Sequence, residues 1–240
     1  MKKILAGFFF IWAVVFLFLF VFVIAHTAVE RALTYMTVSL FVIWVLIGGS
    51  MMLIFKKQLQ GISARAPFGW KKKFVLCATL FALLEEAVTT TLTNVAPLFG
   101  AKIGEAYITA STNYIDVVLF HSVIVFVPMF IVWSVLLSWY EFKPFSVFVL
   151  FGITGIIAEL FITGPTVILA AGFWIYVYGL MVYLPASAVP ADRGAQVPRV
   201  WHYVLAIFLP ILFSIPVAVL INIIHPYQPT HFLHAVNRTQ

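Results

Sequence analysis

Charged side chains are scarce in this chain, and acids are the scarcest: 8 Asp and Glu and 14 Lys and Arg among 240 residues, 9% together. A soluble domain carries about a quarter of its residues as charges, so composition alone excludes an ordinary water-facing globule. Cysteine is nearly absent too. The single Cys77 has no partner for an internal disulfide, and its place within an apolar run reads as a small core side chain. The HExxH, GxSxG and P-loop patterns are missing, which removes the chemistries those motifs carry. The last apolar run, "VWHYVLAIFLPILFSIPVAVLINII", contains no lysine, so it offers no Schiff base for a retinal.

What the chain has instead is hydrophobic side chains: 64% of residues, with a mean hydropathy of +1.11. Apolar windows of about twenty residues, the length of a membrane-crossing helix, fall at 4–25, 37–55, 74–95, 116–139, 144–164, 166–187 and 200–224. The expected fold is therefore all-α, one transmembrane domain over residues 1–240 in the form of a polytopic integral membrane bundle of about seven helices. The first run, with Lys2 and Lys3 before a long apolar body, reads as a retained signal anchor; a cleaved signal is the alternative. No internal repeat, low-complexity tract or soluble domain is visible.

The net charge of +6 does not point to nucleic acid, because the cations sit in short connectors between apolar runs and form no basic face. They report topology. Lys2, Lys3, Lys56, Lys57, Arg65, Lys71, Lys72, Lys73, Lys143, Arg193 and Arg199 fall on one side, against Arg31, Lys102 and Arg238 on the other. The positive-inside bias then predicts the N-terminus inside and the C-terminus outside, with Trp70, Trp139, Tyr140 and Trp201 at the inner interface. The membrane expected is the plasma (inner) membrane of a prokaryote, with the lipid bilayer as partner. The stretch from Lys56 to Lys73 is placed to touch anionic lipid. Residues 94–114, "NVAPLFGAKIGEAYITASTNY", form the one outer loop long enough to carry structure, expected as a short helix at the surface; residues 225–240 form an outer tail. His202 reads as an interface anchor, and His225, His231 and His234 as solvated tail residues.

Against this background "LFALLEEAVTTTLTN", residues 80–94, stands out. At bilayer depth an ionised acid facing lipid costs about 2.5 to 3.5 kcal/mol, so Glu85, Glu86 and Glu159 should face the bundle interior. Glu86, Thr90 and Thr93 form one helical stripe and Glu85 with Thr89 its neighbour, a wide polar arc that continues to Asn94. In the fifth span Gly152, Gly155, Glu159 and Thr163 share a small-residue face suited to close helix contact. In the fourth, Tyr114 and His121 share a face at i, i+7, and Asp116 lies toward the rim. Span directions bring Glu85, Glu86, Glu159 and His121 toward one region of the outer half.

No Lys or Arg lies within an apolar span except near its ends, so this negative charge calls for protons or a bound cation. Carboxylates with one imidazole suit a divalent metal (zinc, manganese or iron), with Glu86, His121 and Glu159 as candidate ligands. A metal-bound water with Glu85 or Glu86 as general base and His121 beside it would make a membrane-embedded metal-dependent hydrolase, an intramembrane protease or lipid hydrolase. Thr90, Thr93, Asn94, Tyr114 and Asp116 would then line the path of a lipid or membrane-peptide substrate. The same residues holding protons or sodium would make a coupled transporter, and acids that merely pair helices would make a scaffold subunit.

"LLEEAVTTT" resembles the EExxxR motif of the CAAX protease and bacteriocin-processing (CPBP) group of glutamate intramembrane proteases, with His121 near the place of that family's second-motif histidine. The resemblance covers some forty residues. It implies an all-helical membrane bundle in which Glu85 and Glu86 supply the base and His121 helps form the site of the attacking water. Thr90 stands where the motif has Arg, Val117 where FxxxH has Phe, and no HxxxN follows in a membrane helix, where Glu159 is the one substitute.

Overall fold

The computed structural model describes residues 2–225, leaving His231, His234 and the rest of the expected tail outside the described residues. Seven helices are long and apolar enough to cross a membrane, which fits an integral membrane protein: α1 (Lys2–Ile24), α2 (Ala28–Ile54), α3 (Trp70–Asn94), α4 (Tyr114–Trp139), α5 (Pro144–Thr163), α6 (Pro165–Ser187) and α7 (Val200–Ile224). Among the described residues there is no strand, only an isolated bridge between Tyr140 and Gln196. The all-α expectation holds, with two differences at the connectors.

The second helix begins at Ala28, well before the expected residue 37. Its start is a capping box, in which the Thr27 hydroxyl accepts from the Glu30 amide and the Glu30 carboxylate accepts from the Thr27 amide. Residues that read as a polar connector are therefore the polar first turns of a helix. Likewise the basic stretch after α2 is not all loop: Lys56–Arg65 is helical, and the Gln60 amide donates to the Ser187 carbonyl at 2.7 Å, clipping it to the end of α6.

The bundle is built around α6, which packs against α1, α2, α3 and α5. Backbone carbonyls at the edges of these contacts receive side-chain donors, as they must where no water reaches. Trp12 of α1 donates to the Leu169 carbonyl, Tyr176 to that of Ala6, and Trp44 of α2 to that of Val177. Between α5 and α7, the Thr154 hydroxyl lies 3.1 Å from the Ile207 carbonyl. At the lysine-rich end the Arg193 guanidinium donates to the carbonyls of Leu137, Tyr140 and Pro190, closing the last turn of α4 with a cation that complements its dipole. His202 is buried at the start of α7, where its Nδ1 accepts from the Arg199 amide at 2.7 Å and its ring lies on Tyr140.

The α5–α6 contact depends on glycine. A Cβ at Gly152 would lie 2.7 Å from the Ile175 Cα, one at Gly155 would overlap the Tyr178 ring, and one at Gly179 would meet Phe148. The small-residue face read from the fifth span is thus the surface on which α6 lies. We expect Gly155→Ala to destabilise the protein by about 1 to 3 kcal/mol, because the added methyl must push against the base of a ring packed on both sides. Thermal unfolding in detergent checks this, with Gly7→Ala, where a Cβ meets nothing within 4 Å, as the neutral comparison.

Candidate functional site

The polar arc of α3 faces the bundle interior: Glu85, Glu86, Thr89, Thr90 and Thr93 are all buried. Leu76, Leu80 and Leu84 are exposed on the opposite side of the same helix. This is the division the threonine spacing predicts. One carboxylate oxygen of Glu86, Oε2, accepts from the Thr89 hydroxyl at 3.0 Å and from the Thr109 hydroxyl at 3.0 Å, and the Ser122 side chain is near enough to act on the same carboxyl. Ser122 Oγ is in turn 2.7 Å from His121 Nδ1. Ser122 therefore stands next to both the imidazole and the acid.

Glu159 lies on α5, where the Tyr178 hydroxyl of α6 donates to its Oε1. Tyr178 is itself buried between Trp174, stacked at 5.5 Å, and the edge of Phe126. Glu85, Glu86 and Glu159 are close enough for their charges to act on one another, and Tyr178 feels all three. The three acids thus share one electrostatic neighbourhood, and His121 adjoins it through its 2.7 Å contact with Ser122. Among the described residues, neither a lysine nor an arginine contributes to the electrostatic surroundings of any of the three.

Two local features position these groups. The fourth span is broken at His121, whose backbone leaves the helical region (φ −139°, ψ −97°), so that Tyr114–Phe120 and Ser122–Trp139 are separate helical segments. The break sets Ser122 at the first position of the inner segment. The loop between α3 and α4 is the second feature. Instead of the expected surface helix, residues 96–99 make one 3₁₀ turn, after which Ala101, Ala106 and Thr109 are buried. The Ile108 amide donates to Thr93 Oγ1 at 3.2 Å, and the Asn94 amide group donates to the carbonyls of Thr90 and Thr112. Thr93 and Asn94 therefore hold the loop so that Thr109 reaches Glu86.

The other expected site residues divide. Tyr114 donates to the Leu83 carbonyl at 2.9 Å, bracing α4 against α3. Asp116 is half-buried beside the Ser111 hydroxyl, at the rim. Thr90 Oγ1 is buried with no hydrogen-bond partner, a spare hydroxyl one turn from Glu86. His225 stacks on Phe120 at 4.6 Å, so it belongs to the loop-bearing end of the bundle, not to a solvated tail. Among the described residues no three His, Cys, Asp or Glu side chains are grouped as a metal ion requires. Glu86 and His121 instead face hydroxyl groups.

Thr109, Ser122 and Tyr178 were not singled out by sequence. Each lies on a different element from the acid it serves. For Tyr178 a signal did exist, since Gly155 one turn before Glu159 leaves room for a large ring. No family model matches this chain, and neither a curated protein nor a solved structure shows significant similarity to it.

Thr109→Val keeps the shape of the side chain but leaves Glu86 without one of its donors. The expected cost is about 1 to 3 kcal/mol in unfolding free energy, with faster hydrogen exchange at the Ile108 amide as the loop loosens. Thr91→Val, whose hydroxyl bonds only the Ala87 carbonyl of its own helix, should change either readout little.

Proposed function

We propose that the protein binds and releases protons at the Glu85–Glu86–Glu159 cluster within the membrane and uses that exchange to drive movement of a solute, as a proton-coupled carrier. The observation that carries this reading is the identity of the partners: Thr89, Thr109, Ser122 and Tyr178 are all hydroxyls. A hydroxyl donates to a carboxylate and, after rotation, accepts from a carboxylic acid, whereas Lys and Arg only donate and would hold the acid in one charge state. An acid surrounded by hydroxyls is satisfied both loaded and empty. In a bilayer, ionisable groups of this kind mark proton relays. His121, whose Nδ1 lies 2.7 Å from Ser122 Oγ, extends the row of exchangeable groups beyond Glu86.

The hydrolase reading keeps one supporting feature. Ser122 lies beside both His121 and Glu86, which supports the pairing of acid and imidazole that the resemblance to the CPBP intramembrane proteases implies. In that reading Glu86 is the base, a lipid or membrane peptide is the substrate, and a divalent metal would supply an acidified water. The grouping of side chains gives a metal little support, so no step is assigned to one.

Glu86→Gln separates the two. Infrared spectra of wild-type protein in detergent should show protonated-carboxyl bands that change with pH, with one component lost in Glu86→Gln and another in Glu159→Gln. Proton flux into protein-loaded vesicles under an imposed pH gradient should fall by an order of magnitude or more in Glu86→Gln. A stoichiometric transition metal that disappears in Glu86→Gln, with no pH-dependent carboxyl band, would overturn the carrier reading in favour of the hydrolase. Indifference of both spectrum and stability to the substitution would leave only a scaffold.

A further inference from the structure

At the opposite, lysine-rich end lies a cleft of about 310 Å³ between the start of α3 and the end of α6, lined by Gln60, Trp70, Lys73, Ser187, Val189 and Pro190. The segment that forms one wall, residues 56–73, carries Lys56, Lys57, Arg65, Lys71, Lys72 and Lys73 and no acid. Glu141 and Asp192, the acids of neighbouring loops, do not line the cleft. Two of the lysines rest on aromatic faces, Lys56 over Tyr183 at 5.5 Å and Lys71 over Trp70 at 5.8 Å, the arrangement expected where cations and rings share the headgroup layer. Gln60, bonded to Ser187 Oγ as well as to its carbonyl, fixes the wall.

Lys73 has a second property that topology alone does not require. Lys73, Leu76, Leu80 and Leu84 follow one another at i, i+3, i+7 and i+11, so they share one face of α3. The three leucines are exposed by 56%, 53% and 47%, toward lipid. A cationic cleft at headgroup level thus opens at the foot of an apolar track that runs along the helix into the hydrocarbon. A free anion would use only the first half of this arrangement, and a diacyl lipid uses both.

We propose that the cleft is a binding site for an anionic glycerophospholipid, with its phosphate at Lys73, its headgroup between Trp70 and Pro190, and one acyl chain along Leu76, Leu80 and Leu84. A zwitterionic choline headgroup would bring a cation against the basic wall with no acid to receive it. The anionic headgroup is therefore the one retained. The site is separate from the carboxylate cluster and stands whether that cluster serves transport or hydrolysis.

Native mass spectrometry of the full chain in detergent, titrated with phosphatidylglycerol or phosphatidylcholine of the same acyl chains, tests this. Wild type should retain phosphatidylglycerol about fivefold or more over phosphatidylcholine, and Lys73→Gln should bring the two close to parity. Lys72→Gln and Lys102→Gln should keep the wild-type preference. Leu80→Gln should weaken retention of phosphatidylglycerol, which keeps the test informative if Lys73→Gln is poorly folded. Equal retention of both lipids by wild type would overturn the proposal, as would an equal loss in Lys72→Gln, which would mean diffuse surface charge. Displacement of the lipid by millimolar inorganic phosphate would overturn the lipid assignment in favour of a free-phosphate site.

Discussion

A carboxyl group placed in hydrocarbon keeps its position only if the protein itself supplies every hydrogen-bond partner it needs, and that requirement organises the loop-bearing half of this molecule. Glu86 is the centre of it. To satisfy one side chain on α3, the chain breaks the fourth span at His121 so that Ser122 faces inward, and it folds the 101–113 segment down so that Thr109 reaches the same oxygen as Thr89. Each device disturbs regular structure, and each costs free energy that an apolar residue at position 86 would not require. Stability alone therefore does not account for the acid, which marks it as a candidate functional group.

The geometry of Glu159 is inherited from packing. Gly152 and Gly155 remove the bulk between α5 and α6, the helices close until Tyr178 lies on Gly155, and the phenol then reaches the carboxyl one turn further along. The ring is held in turn by Trp174 and Phe126, so its hydroxyl has little freedom to turn elsewhere. Because α6 also receives Trp12, Trp44 and the early turns of α1, any shift of α6 that opened the Glu159 pair would strain contacts across most of the bundle. A functional movement is thus more readily placed in α4, which is already divided, and in the loop it follows.

Much of this was legible in the residues themselves. Seven apolar runs gave seven helices, and threonine spacing gave the buried face of α3, because burial in a bilayer bundle leaves a periodic record in polar residues. The glycine spacing of α5 announced a close helix neighbour for the same reason. What stayed hidden were features that depend on another element. Thr27 and Glu30 are polar and so resemble a connector, although as a reciprocal cap they begin a helix. His121 interrupts α4 with neither glycine nor proline at the break, and Pro128 lies seven residues further on. Thr109 sits in a loop whose composition says nothing of its depth. No local period marks a residue whose partner lies across the bundle.

The pairing of acids with hydroxyls also bears on what the site is suited to hold. A metal ion needs several lone pairs directed at one point, but Oε2 of Glu86 is already shared by two threonine hydroxyls, and His121 Nδ1 is turned to Ser122. A proton asks for less: one lone pair, and neighbours that can reverse the direction of their hydrogen bonds. The hydroxyls of Thr89, Thr109 and Tyr178 can each reverse in this way, and so can the contact of Ser122 with His121. A proton gained or lost at Glu86 or Glu159 therefore asks only that the neighbouring hydroxyls turn, with no change in the packing of the helices around them.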